Sequence, residues 1–570
     1  MPLSNKTRTW LTLLCLAAVC ALLFGYRLAG TPFRGLYDDV DRALIARTMA
    51  DSGDWISPTY HYHHLTTKPP LMYWVAGLLY DVLGRRDELP AALASALSSG
   101  LVVMICFGIG AMLWGWRTGV LSALLLASSY LFLAMARQPL LDTVMMVGFM
   151  LAVVSLLRLG FATPARPDRW WGFVALGLGL ATMTKGPVVV PIFVLAAIPL
   201  WLGRPRCLPD GHQWKLMLVI FVAVVLPWHL ILAAVSPNAW AVWKRELLGR
   251  FDSVPTAYPW TRKPWWFYLT DLGHFLPWLP LLPAGIVHAF RHRHERRFQV
   301  LLWWALGGLA FFSLASATKR SYYLLPLYPA LAILCGAMVD AVLVKGARGG
   351  SPRGGRLTPS AETPETARAS ALDPAAADVP DKLFAGGAYV IALLATFLGL
   401  VALAAPLRFD VRPAWLFFIA GMVAAFLGGW ALQLLHTRRA PASLIKSGPA
   451  ILLLLLLYVG HIVPPLNAYI SGKPFYIEAA PLVGDASELA VFHAQRSLTA
   501  FYMNRLVRKP WTAREVRQAV TGGEEGFVVA DPAYAEQIEG LQPVLVRWLR
   551  SPFGQTRRLG LYRLPGPGNR

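Results

Sequence analysis

The stretch that decides how this chain folds runs from Asp38-Asp39-Val40-Asp41-Arg42 to Lys68-Pro69-Pro70-Leu71-Met72-Tyr73-Trp74. It follows the first apolar run and is too charged to stay in lipid, so it sets three carboxylates and a lysine just beyond a membrane face. On either side the chain is built for a bilayer. Of 570 residues, 56% are hydrophobic and only 15% charged, the balance of a multi-pass membrane protein rather than a soluble enzyme. The formal charge of +22 sits in short gaps between apolar runs. That fits cytoplasmic loops and argues against nucleic acid as a partner.

Working outward, the run before this stretch, from about residue 10 to 29, has Lys6 and Arg8 ahead of it but no convincing cleavage site. It reads as a retained first helix rather than a signal peptide. The cysteines, Cys15, Cys20, Cys106, Cys207 and Cys335, lack ligand spacing, so neither a disulfide framework nor a zinc cluster is expected. A spanning helix needs roughly 20 apolar residues. By that measure the chain carries about thirteen spans, centred near Leu16, Met104, Leu125, Ala152, Gly177, Phe193, Val222, Leu282, Gly308, Ala332, Ala395, Ile419 and Leu455.

With the N-terminus inside, this count puts the basic gaps at Arg117, 158–169, 204–215, 291–297, 345–382 and Arg438-Arg439 on the cytoplasmic side. It sends outward the loop at 31–89, the turns at 137–142, Lys185 and Lys319-Arg320, the loop at 236–271 and everything after Pro464. The expected organisation is a membrane module over 1–344 with its outward loop at 31–89, then a flexible cytoplasmic linker at 345–382. Further spans at 383–466 lead to a periplasmic α/β domain at 467–570.

Within the first loop, residues 41–50 have helical spacing, and Pro69-Pro70 opens a second helix at 71–83; both suit the membrane interface. In the tail, β-rich runs at 488–492, 498–503, 526–530, 544–549 and 559–564 alternate with helical pieces at 513–520 and 533–538.

Polar chemistry gathered on one face, not at mid-depth, is unlike a two-sided transporter. A receptor or scaffold would give the outer-face acids no task. Lys68, Lys185, Arg250, Arg262, Lys263, Lys319 and Arg320 all fall on that face. Cations converging there suit phosphate groups, with binding of anionic headgroups as the blander alternative. Asp38 and Asp39 could hold a sugar or act near a reacting carbon, or one of them simply caps the next helix. Asp142, at the outer edge of a span, is open to the same two readings. Tyr322 and Tyr323 could bond a phosphate or belong to the aromatic belt. His61, His63 and His64 form an HxHH pattern that gives only weak support for a metal.

Asp38-Asp39, Ile45-Ala46-Arg47, Ser52-Gly53-Asp54-Trp55-Ile56 and Lys68-Pro69 together resemble the first periplasmic loop of the lipid A aminoarabinose transferases. They also resemble the wider lipid-linked-sugar transferases of the type C fold, which include protein mannosyltransferases. Arg137 to Asp142 with Thr143, Thr184-Lys185-Gly186, Glu246 to Phe251 and Lys319-Arg320-Ser321-Tyr322-Tyr323-Leu324-Leu325-Pro326 extend the likeness over roughly residues 10 to 345.

The resemblance implies a polytopic α-helical membrane protein of the type C glycosyltransferase fold, with a small C-terminal α/β domain, in a bacterial inner membrane. It implies inverting transfer of 4-amino-4-deoxy-L-arabinose or a related sugar from undecaprenyl phosphate to a lipid A phosphate on the periplasmic face, a modification tied to polymyxin resistance. Transfer to protein or glycan hydroxyls is the alternative. Asp38 occupies the family's catalytic carboxylate position, Asp39 stands where the aminoarabinose transferases usually have Glu, and Asp142 takes the second acidic position. Lys68, Arg250, Lys319, Arg320 and Tyr322, with Lys185, Arg262 and Lys263, are the implied phosphate-binding set. The family's Glu before Lys68 is Thr67 here, and its His after Glu246 is Leu247. No cofactor is required, a divalent metal is only weakly supported, and the partners implied are the undecaprenyl-phosphate-linked donor, lipid A or another glycolipid acceptor, and membrane lipids.

Overall fold

The computed structural model describes residues 5–35, 38–57, 59–60, 63–64, 68–162, 164–203, 208–236, 238–248, 263–315, 319–349, 379–437, 439–484, 488–520 and 525–565. The first helix, α1 (Asn5–Cys20), continues through a π turn at Ala21–Gly25. The loop helices α2 (Asp39–Ser52) and α3 (Leu71–Leu83) follow, with a small hairpin of β1 (Thr59–Tyr60) and β2 (His63–His64) between them. The membrane module then runs through α4 (Leu89–Trp114), α5 (Trp116–Ala127), α6 (Tyr130–Ala136), α7 (Leu141–Phe161), α8 (Pro167–Lys185), α9 (Val190–Gly203) and α10 (Gly211–Val235). After α11 (Ala239–Leu248) and α12 (Phe267–Asp271) come α13 (Leu282–Arg291), α14 (Arg296–Leu302), α15 (Gly308–Ala315) and α16 (Tyr328–Gly349). Helices α17 (Val379–Arg408), α18 (Ala414–His436) and α19 (Ala440–Leu457) form a further antiparallel group, and α19 leads through a π turn at Tyr458–Ile462 into α20 (Val463–Ser471).

Among the described residues, nine helices are long and apolar enough to cross a membrane, or ten if α5 and α6, bent by 68° at their junction, make one broken span. The remaining three of the expected centres fall on helices that do not meet that test of length and composition. Gly177 lies in α8, which begins with Asp168 and Arg169 and ends at Lys185. Phe193 lies in α9, which has only 14 residues. Around Leu282, Pro277, Pro280 and Pro283 divide the chain into short 3-10 and α pieces, because proline removes a helix donor and clashes with the preceding turn. The expected linker lies largely outside the described residues; α16 continues to Gly349, α17 begins at Val379, and Lys345 ion-pairs with Asp381.

Both loop helices form where the pattern places them. Helix α2 has Asp39 and Asp41 in its first turn, favourable against the positive end of the helix, and stops at Gly53 in the left-handed region (φ 70°). Helix α3 buries Met72, Tyr73, Ala76, Gly77 and Tyr80 along one face and exposes Leu78 and Val82 on the other. That is the arrangement of a helix lying against the module at the level of the lipid interface.

The tail adds α21 (Lys473–Ala479), α22 (Arg496–Met503), α23 (Ala513–Val520), α24 (Pro532–Ala535) and four strands, β3 (Glu488–Phe492), β4 (Glu525–Ala530), β5 (Gln542–Arg550) and β6 (Thr556–Pro565). They form one sheet in the order β3-β4-β6-β5, with β3 parallel to β4 and the other pairs antiparallel. The run at 498–503, expected as β, is a correction: it is helix α22. Leu498 and Phe501 are three residues apart and bury together, and Asn504 ends the helix in the left-handed region. A continuous buried core links the first span to Leu561 of the last strand, so the sheet domain rests on the module rather than hanging from it.

Candidate active site

Helices α7 and α8 supply the centre of the polar site. They run antiparallel and touch where Gly148 faces Gly177; a Cβ on either would come within 2.5 Å of the other's carbonyl oxygen. Small residues allow this close approach. As a result the start of α7 lies beside the end of α8, and Lys185 Nζ sits 2.5 Å from Asp142 Oδ1. Both side chains are enclosed, at 7% and 4% exposure. In so dry a place each charge needs the other. The Lys185 ammonium also lies 4.3 Å from the ring centre of Tyr323 and 5.0 Å from that of Tyr322, within range of a cation–π attraction. Lys185, expected among the phosphate-gripping cations, is thus already engaged by an acid.

Asp38 precedes α2 in the left-handed backbone region (φ 61°) and makes no side-chain capping bond, which removes the simple capping reading. Its side chain is 44% exposed and lies 3.5 Å from Arg42 Nη2. Arg42 is fixed in turn, donating from Nη1 to the buried Tyr73 hydroxyl at 2.6 Å. Helix α3 therefore steadies the arginine that steadies Asp38. Tyr322, buried beneath the Lys185 ammonium, joins the start of the Ser321–Lys345 span to the Asp142–Lys185 pair.

Asp39 has a different position. It is fully buried, with Oδ2 accepting from the Arg34 N–H at 2.9 Å and Oδ1 from the Val40 N–H at 3.0 Å. Burial pushes its carboxyl up to about 6, against the lowering effect of these bonds. Its oxygens brace the loop that presents Asp38, which is nearer to the helix-supporting alternative than to a group facing a sugar.

On the opposite wall, burial holds the Lys319 ammonium below its usual range, and the Arg320 N–H donates to the Tyr268 hydroxyl at 3.2 Å. Ser321 Oγ donates to Asp271 Oδ1 at 3.0 Å, and His274 Nδ1 lies 3.0 Å from the same carboxylate. The hydrogen bond that the His274 ring donates to the Asp271 carboxylate raises the His274 pKa. Asp271 Oδ2 is buried with no hydrogen-bond partner among the described residues. Sequence reasoning passed over Arg42, Tyr73, Tyr268, Asp271 and His274. The signal for Asp271 was the one that found Asp142, an acid where a loop re-enters the membrane module.

Lys68 is half-buried immediately ahead of α3, and Lys263 is exposed. Arg250, Arg262 and His61 lie outside the described residues, as do the side chains of His63 and His64. Among the described residues, no three His, Cys, Asp or Glu side chains cluster as metal ligands.

The loop is also held from the far end of the chain. Buried Glu88 pairs with Lys473 at 2.7 Å, the Phe33 N–H donates to the Tyr502 hydroxyl at 3.1 Å, and Arg47 Nη1 donates to the Phe501 carbonyl at 2.9 Å. Asn467 receives Arg34 Nε at 2.7 Å and donates to the Pro32 carbonyl at 2.8 Å.

Apolar spans, a braced loop carrying Asp38 and an α/β domain resting on that loop define a multi-pass membrane protein with an acid–cation site where its helices emerge. Its relatives act on lipid-linked sugars. Residues 67–231 match the family described as dolichyl-phosphate-mannose-protein mannosyltransferase. The chain is 33% identical over 320 residues to an undecaprenyl phosphate-alpha-4-amino-4-deoxy-L-arabinose arabinosyl transferase of Pseudomonas fluorescens, a match covering 55% of this chain and 57% of the relative. It thus spans a little over half the length of that relative. The solved structure of ArnT from Cupriavidus metallidurans in the apo state superposes with a TM-score of 0.68 at 19% identity over 98% of both chains. The same protein bound to undecaprenyl phosphate gives a TM-score of 0.67 with the same coverage. The fold is that of the type C membrane glycosyltransferases, and the chain is a relative of the aminoarabinose and protein mannosyl transferases.

Proposed function

We propose that this chain is an inverting glycosyltransferase that moves a sugar from undecaprenyl phosphate to a lipid A phosphate on the periplasmic face of a bacterial inner membrane. The observation that carries the reading is the enclosed Asp142–Lys185 pair packed against Tyr322 and Tyr323, together with Asp38 held by Arg42 on the first loop. The names and donors of the relatives support it. The proposed sugar is 4-amino-4-deoxy-L-arabinose or a close relation.

In the proposed reaction the donor phosphate rests against Lys68, Arg250, Lys319 and Arg320, with Arg262, Lys263 and Tyr322 completing the rim and Lys185 held behind it by Asp142. An acceptor phosphate oxygen attacks the anomeric carbon in line. The bond from that carbon to the donor oxygen breaks, and its electron pair leaves on undecaprenyl phosphate. A phosphate acceptor is already anionic near neutral pH, so Asp38 orients the reactants and stabilises the positive charge that develops at the sugar. The transfer calls for no metal or organic cofactor. The match to the protein mannosyltransferase family favours a second reading, transfer to a hydroxyl, in which Asp38 takes the proton.

Mass spectrometry of lipid A, other glycolipids and membrane proteins from cells with and without the gene separates the two. A pentosamine increment on lipid A phosphate is expected, and an increment found only on protein would reject the first reading. In either case Asp38→Asn is expected to lower turnover at least a hundredfold, in line with the loss of a positioned acid or base. An Asp38→Asn enzyme that keeps its turnover rules out the assignment of Asp38.

A further inference from the structure

A lateral groove opens on the loop side of the module between the first span and helices α18 and α19. It has a volume of about 190 Å³ and is lined by Leu22, Tyr26, Leu416, Ala420, Leu453 and His461, among others. Two features distinguish it from an ordinary lipid-facing surface.

The first is its walls. Both become π-helical at this depth, at Ala21–Gly25 on one side and Tyr458–Ile462 on the other. Single π turns are rare and frequently mark functional positions. Here they are locked together. The buried Arg137 guanidinium donates to the Leu23 and Phe24 carbonyls at 3.1 Å and to the Val459 carbonyl at 3.4 Å, bridging the two turns. Gly460 gives the Tyr26 ring its place, since a Cβ there would lie 2.2 Å from a ring carbon.

The second is the charge at its mouth. Tyr26 Oη lies 3.1 Å from His461 Nε2, and Arg27 Nη1 lies 3.1 Å from His461 Nδ1. Arg27 is exposed and held in the left-handed region (φ 53°). The Arg412 carbonyl lies 3.2 Å from the same His461 nitrogen, while its side chain is 84% exposed. Arg408 is exposed at the end of α17, and Asp410, two residues on, lies 2.8 Å from Arg412. Three guanidinium groups against one carboxylate leave a net positive rim above an apolar trough.

We propose that this groove binds an anionic glycerophospholipid, with one acyl chain in the trough and its phosphate at Arg27, Arg408 and Arg412. The leucine-lined trough favours an acyl chain, and the arginines, with the tyrosine and histidine beside them, favour a phosphate carrying net charge. The site is separate from the Asp38 cluster, and its occupancy does not depend on the transferase reading.

Native mass spectrometry of the full-length protein, offered equal amounts of phosphatidylglycerol and phosphatidylcholine, tests it without any assay of sugar transfer. The unaltered chain is expected to retain one phosphatidylglycerol in preference. Replacing Arg27, Arg408 and Arg412 together by Gln is expected to weaken that retention about tenfold or more. Leu453→Trp, which fills the trough from a lipid-facing position and leaves the arginines in place, is expected to remove it as well. Equal retention of the two lipids by the unaltered chain, or unchanged retention in both variants, overturns the proposal.

Discussion

Asp142 and Lys185 share an enclosed pocket in which neither charge can be kept without the other. Removing one partner of a buried pair typically costs about 3–5 kcal/mol, because the survivor is left desolvated and unpaired. Asp142→Asn and Lys185→Met are each expected to lower the thermal unfolding temperature in detergent and to depress turnover. The double variant Asp142→Leu/Lys185→Met is expected to recover most of the stability and none of the turnover, which separates the pair's structural task from its chemical one. Asp39 offers a second test at this scale. Its carboxyl ionises near pH 6 in the folded protein and near 3.8 when unfolded. Between those values the native state holds more protons than the unfolded state, so stability falls as pH rises through this window. The loss is on the order of 3 kcal/mol for a shift of this size. A chain with Asp39→Asn should lack that component, which thermal unfolding of both proteins from pH 4 to pH 7 would reveal. The sequence marks Asp38 and Asp39 as equals, because adjacency says nothing about which carboxylate faces inward. Only the turn that sets Asp38 at positive φ separates an open acid from a buried brace.

At the scale of elements, the position of the Asp142–Lys185 pair is inherited from a helix crossing. Gly148 and Gly177 let α7 and α8 meet backbone to backbone. Gly148→Val would force them apart, with an overpacking cost of about 1–3 kcal/mol. It is expected to reduce turnover well beyond that loss of stability, measured as kcat at a temperature where the variant remains folded. The loop helices were legible before any coordinates, since apolar periodicity and the Pro69-Pro70 and Gly84 boundaries define α3 from local signals alone. The number of spans was less legible. The apolar run around Phe193 forms a helix of 14 residues, and prolines divide the run around Leu282 into short pieces. Helix α22 was missed for another reason. Its Arg47 partner, which binds carbonyls at the helix's C-terminal end, lies 454 residues away in the chain, beyond any local window.

For the whole molecule, the sheet domain is a structural partner of the first loop. Apolar alternation shows that such a domain exists, but not that it closes over Pro32, Phe33 and Arg34, because that contact joins one ring pair, Phe33 with Phe501, to hydrogen bonds between residues hundreds of positions apart. Lys473→Met would strand Glu88, which is almost wholly buried, as an unpaired carboxylate. A loss of about 3 kcal/mol is expected. Limited proteolysis of the first loop is expected to speed up in this variant, while the apolar spans stay protected.

The same contact sets an order of events. Glu88 and Lys473 are 385 residues apart, and Lys473 is made only after the helix that ends at Ser471. At translation rates of about 5–20 residues per second, the loop bearing Asp38 waits roughly 20 to 80 s before its clasp exists. Through that interval the intervening helices are still being made. The domain that locks the first loop emerges after the nine apolar spans among the described residues, so the loop is clasped only once those helices have been made.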